Sequence, residues 1–219
     1  MAVKAVLFDL DGTLLNTIDD IRDSMNSALE ALSLPTHDVQ SYCYFVGDGV
    51  QKLSERAVGD KNTQLVPEVL RLYRGNYAQN SKNKTKPYDG IEAMLTALDE
   101  KGIPMAVFSN KPDKDTKDVV AHYFPGISFA HVQGQLESVP VKPHPAGALD
   151  IARLLGVKPV DFLYVGDTGV DMRCAKAAGM QSVGATWGFR SMAELIENGA
   201  QHIIHAPESL LALLRACKH

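Results

Sequence analysis

From Ile91 onward the chain alternates helix-length segments with short apolar runs, and that alternation restricts the possible folds more than any other feature. Helical spacing covers Ile91 to Glu100, Asp113 to His122, Ala146 to Leu155, Val170 to Ala178, Met192 to Glu197 and Glu208 to Ala216. Between these segments lie strand-length apolar runs at Met105 to Phe108, Phe129 to Val132, Phe162 to Val165, Ser182 to Ala185 and Ile203 to Ile204. A further apolar run, Val3 to Phe8, opens the chain. Successive βαβ units of this kind predict an α/β protein with a Rossmann-like parallel sheet and helices on both faces.

The region after the first strand behaves differently. Ile18, Ile21, Met25, Leu29 and Leu32 recur at helical spacing. Thr17, followed three residues later by Asp20, approximates a capping box at the start of that helix. The helical pattern continues over Val39 to Phe45, Val50 to Val58 and roughly Gln64 to Ala78, with no strand-like alternation. Ser81 to Pro87 is polar, closes on proline and reads as a linker. These boundaries predict an α/β core from residues 1–15 and 81–219, with residues 16–80 as a small inserted helical domain.

At 219 residues, with 45% apolar and 22% charged residues, the chain can bury a substantial core. A net charge of −4 and the lack of any basic block argue against nucleic-acid partners. Cys43, Cys174 and Cys217 are scattered, odd in number and lack metal spacing, which predicts reduced, inert thiols. The sequence enters its first strand without a charged-then-apolar leader, and no apolar run is long enough to cross a bilayer. The expectation is a cytoplasmic protein with no membrane partner.

Chemistry concentrates at predicted strand ends. The first strand runs into Asp9-Leu10-Asp11-Gly12-Thr13, where residues i and i+2 of an extended segment share a side. Two such acids repel unless a proton or a cation lies between them, and a hard divalent ion such as Mg²⁺ suits oxygen ligands. Gly12 lets the backbone turn close to a ligand. Ser109-Asn110-Lys111, Lys142-Pro143 and Gly166-Asp167-Thr168 with Asp171 follow other predicted strands or precede helices. Ligands of open α/β sheets bind beyond the carboxyl ends of the strands, so one site can gather all four segments. Taken singly, each has a plain alternative as a helix cap, a turn or a solvated loop charge. Their joint order is what those alternatives leave unexplained.

Phe8-Asp9-Leu10-Asp11-Gly12-Thr13-Leu14, Ser109-Asn110, Lys142-Pro143 and Gly166-Asp167-Thr168-Gly169-Val170-Asp171, in that order, resemble the motif set of the haloacid dehalogenase superfamily of phosphatases. The segment from about Asn16 to Asn80 is similar to that superfamily's inserted cap. Ser109-Asn110-Lys111-Pro112, Lys142-Pro143-His144-Pro145, Phe45-Val46-Gly47-Asp48-Gly49 and Gly184-Ala185-Thr186-Trp187-Gly188 most resemble phosphoglycolate phosphatases.

The resemblance implies Asp9 as nucleophile, forming an aspartyl-phosphate, and Asp11 as general acid and then base. It implies Mg²⁺ held by the carboxylates of Asp9 and Asp167 and the backbone carbonyl of Asp11. Ser109 and Lys142 would hold phosphoryl oxygens, Asp171 would orient metal-bound water or Lys142, and Thr13 and Asn110 would support the phosphate. For the cap, Gly47 and Gly49 flank Asp48 at a helix start and can leave backbone N–H groups facing an anion. Lys52, Arg56 or Arg22 can meet a substrate carboxylate, although a solvated helical face explains each of them singly. Asn16 departs from the acid usual in relatives. His131 and His144 lack a partner at metal-ligand spacing.

The expected activity is hydrolysis of a small phosphorylated metabolite, with 2-phosphoglycolate foremost, by a monomer or homodimer. A phosphomutase of the β-phosphoglucomutase kind shares every core motif, and a pyrophosphatase or nucleotidase of the superfamily is a further alternative. A phospho-accepting receiver module also combines acids, Mg²⁺ and a lysine, but needs neither the helical insert nor Asp11. No Gly-x-x-x-x-Gly-Lys-Ser/Thr stretch is present to support a P-loop kinase.

Overall fold

The computed structural model describes residues 3–216; Cys217 lies outside the described residues. Six strands form one sheet: β1 (Ala5–Phe8), β4 (Met105–Pro112), β5 (Phe129–Gln135), β6 (Phe162–Gly166), β7 (Gln181–Ala185) and β8 (His202–Ile204). Their order is β5-β4-β1-β6-β7-β8, and every pairing is parallel. The chain builds outward from β1 through β4 to β5, then returns to the other side of β1 for β6. That reversal places the topological switch at the end of β1, where open α/β sheets bind their ligands.

Alternation along the strands builds a core on each face of the sheet. Val6 and Phe8 of β1, Met105 and Val107 of β4, and Leu163 and Val165 of β6 join one apolar cluster. Ala5 and Leu7, Ala106 and Phe108, and Phe162 and Tyr164 join the other. The first cluster is covered by α5 (Ile91–Glu100), α6 (Asp113–Tyr123) and α10 (Ser209–Ala216), and the second by α7 (Ala146–Leu155) and α8 (Gly169–Ala178). α9 (Met192–Glu197) packs its buried Leu195 near β7. All four β1 side chains are fully buried, so this strand reads as a continuous apolar run instead of an alternating one.

Between β1 and α5 the chain forms α1 (Ile18–Ala31), α2 (Val39–Phe45), α3 (Val50–Val58) and α4 (Val66–Asn80), with a 3₁₀ segment at Asp60–Leu65. These helices gather their own apolar cluster, including Ile21, Met25, Leu29, Tyr42, Leu53, Val69, Tyr73 and Tyr77. Two very short strands escape sequence periodicity: β2 (Leu15–Asn16) pairs antiparallel with β3 (Lys86–Pro87) where the chain leaves and re-enters the sheet layer. β4 and β5 also run longer than their apolar cores, because polar residues continue the ladders to Pro112 and Gln135.

The expected capping box at Thr17 does not form. Thr17 makes no side-chain cap bond, and its buried hydroxyl has no partner. Asp20 turns instead to the returning chain, accepting from the Lys84 and Thr85 backbone N–H groups at 3.0 and 2.8 Å and from the Thr85 hydroxyl at 2.8 Å. The polar stretch read as a linker is therefore pinned at its end. Asp20→Ala leaves the two buried Thr85 donors unpaired and is expected to destabilise the protein by about 2–4 kcal/mol in urea unfolding, since each orphaned donor costs about 1–3 kcal/mol. A loss under about 0.5 kcal/mol, the range of an ordinary surface change, would contradict that role.

Candidate active site

The ends of β1 and β6 bring Asp9 and Asp167 together, β4 adds Ser109 from within the strand, and the segment before α7 adds Lys142. Asp9, Ser109 and Lys142 line a small cavity of about 40 Å³, together with Asp11, Asn110, Lys111 and Asp171. The helical segment contributes the opposite wall, with Ile21, Gly47, Gly49, Val50, Leu53, Tyr73 and Tyr77. Such a volume holds only a few water-sized groups.

Lys142 is the hub of the buried charges. Its Nζ donates to Asp9 Oδ1 at 2.7 Å, to Asp171 Oδ1 at 2.8 Å and to the Phe108 carbonyl at 3.1 Å, which uses all three ammonium protons. Burial pulls this ammonium toward the neutral form, but the Asp171 and Asp9 carboxylates more than offset it and hold the pKa above the usual lysine range. Asn110 fixes the lysine's backbone: its Oδ1 accepts from Lys142 N–H at 2.8 Å and its Nδ2 donates to the Lys142 carbonyl at 3.1 Å. The same Nδ2 reaches the Gly47 carbonyl at 2.9 Å, so Asn110 braces two segments and has no amide proton left for a phosphate.

Asp167 is held just as tightly. Thr13 Oγ1 donates to its Oδ1 at 2.9 Å, and the Phe189 backbone N–H donates to its Oδ2 at 2.8 Å. Thr13, expected to support a phosphate, faces this carboxylate instead. A methyl group added to Gly12 or Gly188 would run into the Asp167 side chain, so both glycines are required by close approach. Asp171 Oδ2 accepts from Thr168 Oγ1 at 2.7 Å and from the Thr168 backbone N–H at 3.2 Å, which locks the start of α8.

Asp9, Asp167 and Asp171 are buried and can offer ligand oxygens within 4.8 Å of one another. Burial, then the neighbouring Asp171 and Asp167 carboxylates, push Asp9 well above the ordinary carboxylate range despite Lys142. Burial and then Asp171 push Asp167 up to about 7. Asp9 and Asp171 thus share one ammonium while Asp167 has none, and a hard divalent cation with oxygen ligands fits this donor set.

Asp11 does not join the group. Its carboxylate receives Lys111 Nζ at 2.9 and 3.0 Å, so each acid of the Asp9-Leu10-Asp11 pair has its own lysine and no single cation bridges the two side chains. Past Phe8 the strand gives way to a turn, and the i,i+2 rule for extended chains no longer applies.

The cationic residues considered on the helical segment do not reach the cavity. Lys52 is exposed and pairs with Glu55 at 2.7 Å. Arg56 pairs with Asp48 at 2.6 Å and donates to the Phe45 carbonyl at 2.8 Å, closing the loop between α2 and α3. Arg22 is taken by Asp19 and Asp23. Asn16 lies in β2, His144 accepts from the Ala146 N–H at the start of α7, and His131 contacts Gln133. Cys43 and Cys174 are free thiols.

Three residues outside the expected set matter. Lys111 closes the Ser109-Asn110-Lys111 segment without an expected role of its own, and the signal for one is that Asp11 requires a counter-charge. Phe189 and Arg190 follow the Thr186-Trp187-Gly188 segment: the first supplies a backbone donor to Asp167, and the second donates from Nη2 to the Val46 carbonyl at 3.0 Å across to the end of α2.

The sheet order and the charges gathered at its switch point define an α/β protein with buried acids and lysines clustered at the end of its central strand. A model of the haloacid dehalogenase-like hydrolase family matches residues 6–185, and the chain belongs to that family. It is 31% identical to a phosphoglycolate phosphatase of Pseudomonas putida over 98% of this chain and 79% of that one. Identity is also 31% to a phosphoglycolate phosphatase of Haemophilus influenzae, over 96% of this chain and 98% of that one. A solved structure described as a predicted phosphoglycolate phosphatase from Haemophilus somnus superposes with a TM-score of 0.88 at 30% identity, covering 96% of this chain and 97% of that one. The chain is an enzyme of this phosphatase-like group. Among the described residues, no helix is long and apolar enough to cross a membrane.

Proposed function

We propose that the protein is a Mg²⁺-dependent phosphate-monoester hydrolase of small metabolites, with 2-phosphoglycolate as its leading substrate and Asp9 as the phosphoryl acceptor. One observation supports this assignment most. Asp167 and Asp171 spend both carboxylate oxygens on protein donors, and both Asp11 oxygens receive Lys111. Among these four acids Asp9 has one hydrogen bond to its carboxylate, from Lys142 to Oδ1, which leaves Oδ2 free at the cavity wall.

In the proposed reaction, Asp9 Oδ2 forms a bond to phosphorus as the bond to the leaving oxygen breaks, and Asp11 gives that oxygen its proton. Water then attacks the aspartyl-phosphate, Asp11 takes a proton from it, and inorganic phosphate departs. Lys142 fixes the Asp9 carboxylate against rotation, and the Ser109 hydroxyl, which accepts from the Lys111 N–H at 3.2 Å, keeps its own proton to donate to a phosphoryl oxygen. Asp9, Asp167 and the Asp11 carbonyl would hold Mg²⁺, which when bound offsets the negative charge of the phosphoryl oxygens. Residues 16–80 serve as a cap whose closure keeps bulk water from the intermediate.

Phosphate release from a panel of phosphorylated acids, sugars, nucleotides and pyrophosphate, with Mg²⁺ and then with chelator, tests this function. Release from 2-phosphoglycolate that stops on chelation is expected; release undiminished by chelation, or confined to pyrophosphate, would reject it. The metal assignment also carries a pH signature. Asp167, with its folded pKa above its unfolded one, favours the metal-free fold at low pH, and that contribution is lost as pH rises through about 7. Mg²⁺ must displace the proton below that pH. Mg²⁺ is therefore expected to stabilise the protein more at pH 8 than at pH 6, by about 1.4 kcal/mol for each tenfold change in ionised fraction. Asp167→Asn, whose amide oxygen can accept from the Phe189 N–H while its Nδ2 donates to Thr13 Oγ1, should shrink the difference in thermal unfolding; equal stabilisation at both pH values in the wild type would contradict the assignment.

A further inference from the structure

A second charged group on the substrate needs a donor that faces the cavity, and a fixed counter-charge there is supplied only by a lysine or arginine side chain. The helical segment gives that wall apolar and aromatic groups and no lysine or arginine, and Arg22, Lys52 and Arg56 are satisfied elsewhere. Two cations line the cavity, Lys111 and Lys142. Lys142 has spent its three protons. Lys111 has not: it is buried, its Nζ forks onto the two oxygens of Asp11, and the same nitrogen stands 4.6 Å from the centre of the Tyr77 ring. One ammonium proton is left without an oxygen acceptor. Asp115 lies on the same wall, its carboxyl pushed up by burial although Lys111 opposes that.

In the reaction proposed above, Asp11 meets the leaving oxygen. In the phosphate ester of a 2-hydroxy acid, the carboxylate carbon is two bonds beyond that oxygen, which brings the substrate's second charge beside the group that Asp11 already holds. We infer that Lys111 is the specificity-determining residue of this cavity: it binds the substrate carboxylate while keeping Asp11 at the leaving oxygen, and so selects phosphate esters of 2-hydroxy acids over neutral esters of equal length. The inference rests on the phosphatase assignment of the preceding section. It replaces the cap cations with a core residue as reader, and leaves the aromatic pair Tyr73 and Tyr77 to exclude water around that contact.

The test compares kcat/KM for 2-phosphoglycolate and for 2-hydroxyethyl phosphate in the presence of Mg²⁺. Wild-type protein should prefer the acid. Lys111→Met, which keeps the stem and removes the charge, should shrink that preference roughly 10- to 100-fold, the worth of one charge-assisted hydrogen bond, chiefly by raising KM for the acid. Lys111→Arg should restore most of the preference. Lys111→Gln, with a neutral donor toward Asp11, should repeat the loss if the Met variant folds poorly. A preference ratio unchanged in the neutral variants, with both substrates declining together, would overturn the inference and reduce Lys111 to a support for Asp11. Wild-type hydrolysis of the neutral ester with no preference for the acid would overturn it while the phosphatase assignment stands. Hydrolysis of neither ester would overturn that assignment and this inference with it.

Discussion

Asp9→Asn is expected to lower turnover by roughly 10⁴- to 10⁶-fold, the scale on which removal of a covalent nucleophile acts. The amide matches the carboxylate in size, so Lys142 keeps an oxygen acceptor there as well as its Asp171 and Phe108 partners. What disappears is the free, anionic Oδ2 that the other acids of the cluster do not offer. The variant should fold, with an unfolding midpoint near that of the wild type, and should still bind a phosphorylated ligand. Steady-state phosphate release beside thermal unfolding separates the two effects. Turnover within tenfold of the wild type would remove Asp9 from the chemistry, and a collapse of the unfolding midpoint would make it a structural residue.

Lys142→Met should have the next largest effect, and on two quantities at once. The methionine fills the stem of the lysine but leaves Asp9 and Asp171 buried without their ammonium. Breaking a buried pair in this way costs about 3–5 kcal/mol, because an uncompensated charge remains. Turnover should fall as well, since the Asp9 carboxylate loses the contact that holds it. Adding Asp171→Asn should recover part of the stability, because the two residues act as one unit. Chemical unfolding of the single and double variants checks this. A Lys142→Met protein as stable as the wild type would show that the cluster is not held by this lysine, and full additivity of the two changes would show that it does not couple to Asp171.

Sequence patterning was informative where many residues vote together. The parallel sheet follows from repeated apolar runs, and the meeting of Asp9 with Asp167 follows from their positions just past the ends of β1 and β6. What escaped depends on single contacts. Thr13 and Asn110 carry the polar groups a phosphate site uses, but their partners are Asp167 and the Lys142 backbone. Arg22, Lys52 and Arg56 have the charge to bind a carboxylate, yet each finds an acid within eight residues on its own segment. Asp20 matched a capping pattern, and a chain return more than sixty residues away claimed it instead. The two-residue strands β2 and β3 are too short for any periodicity to register.

The covalent step can be observed directly. Wild-type protein mixed rapidly with 2-phosphoglycolate and Mg²⁺, quenched in acid during turnover, digested and analysed by mass spectrometry should carry a phosphoryl group on the peptide containing Asp9, and the Asp9→Asn protein should carry none. Turnover that proceeds with no phosphorylated Asp9 at any quench time, or a phosphoryl group found on a different acid, would contradict the account.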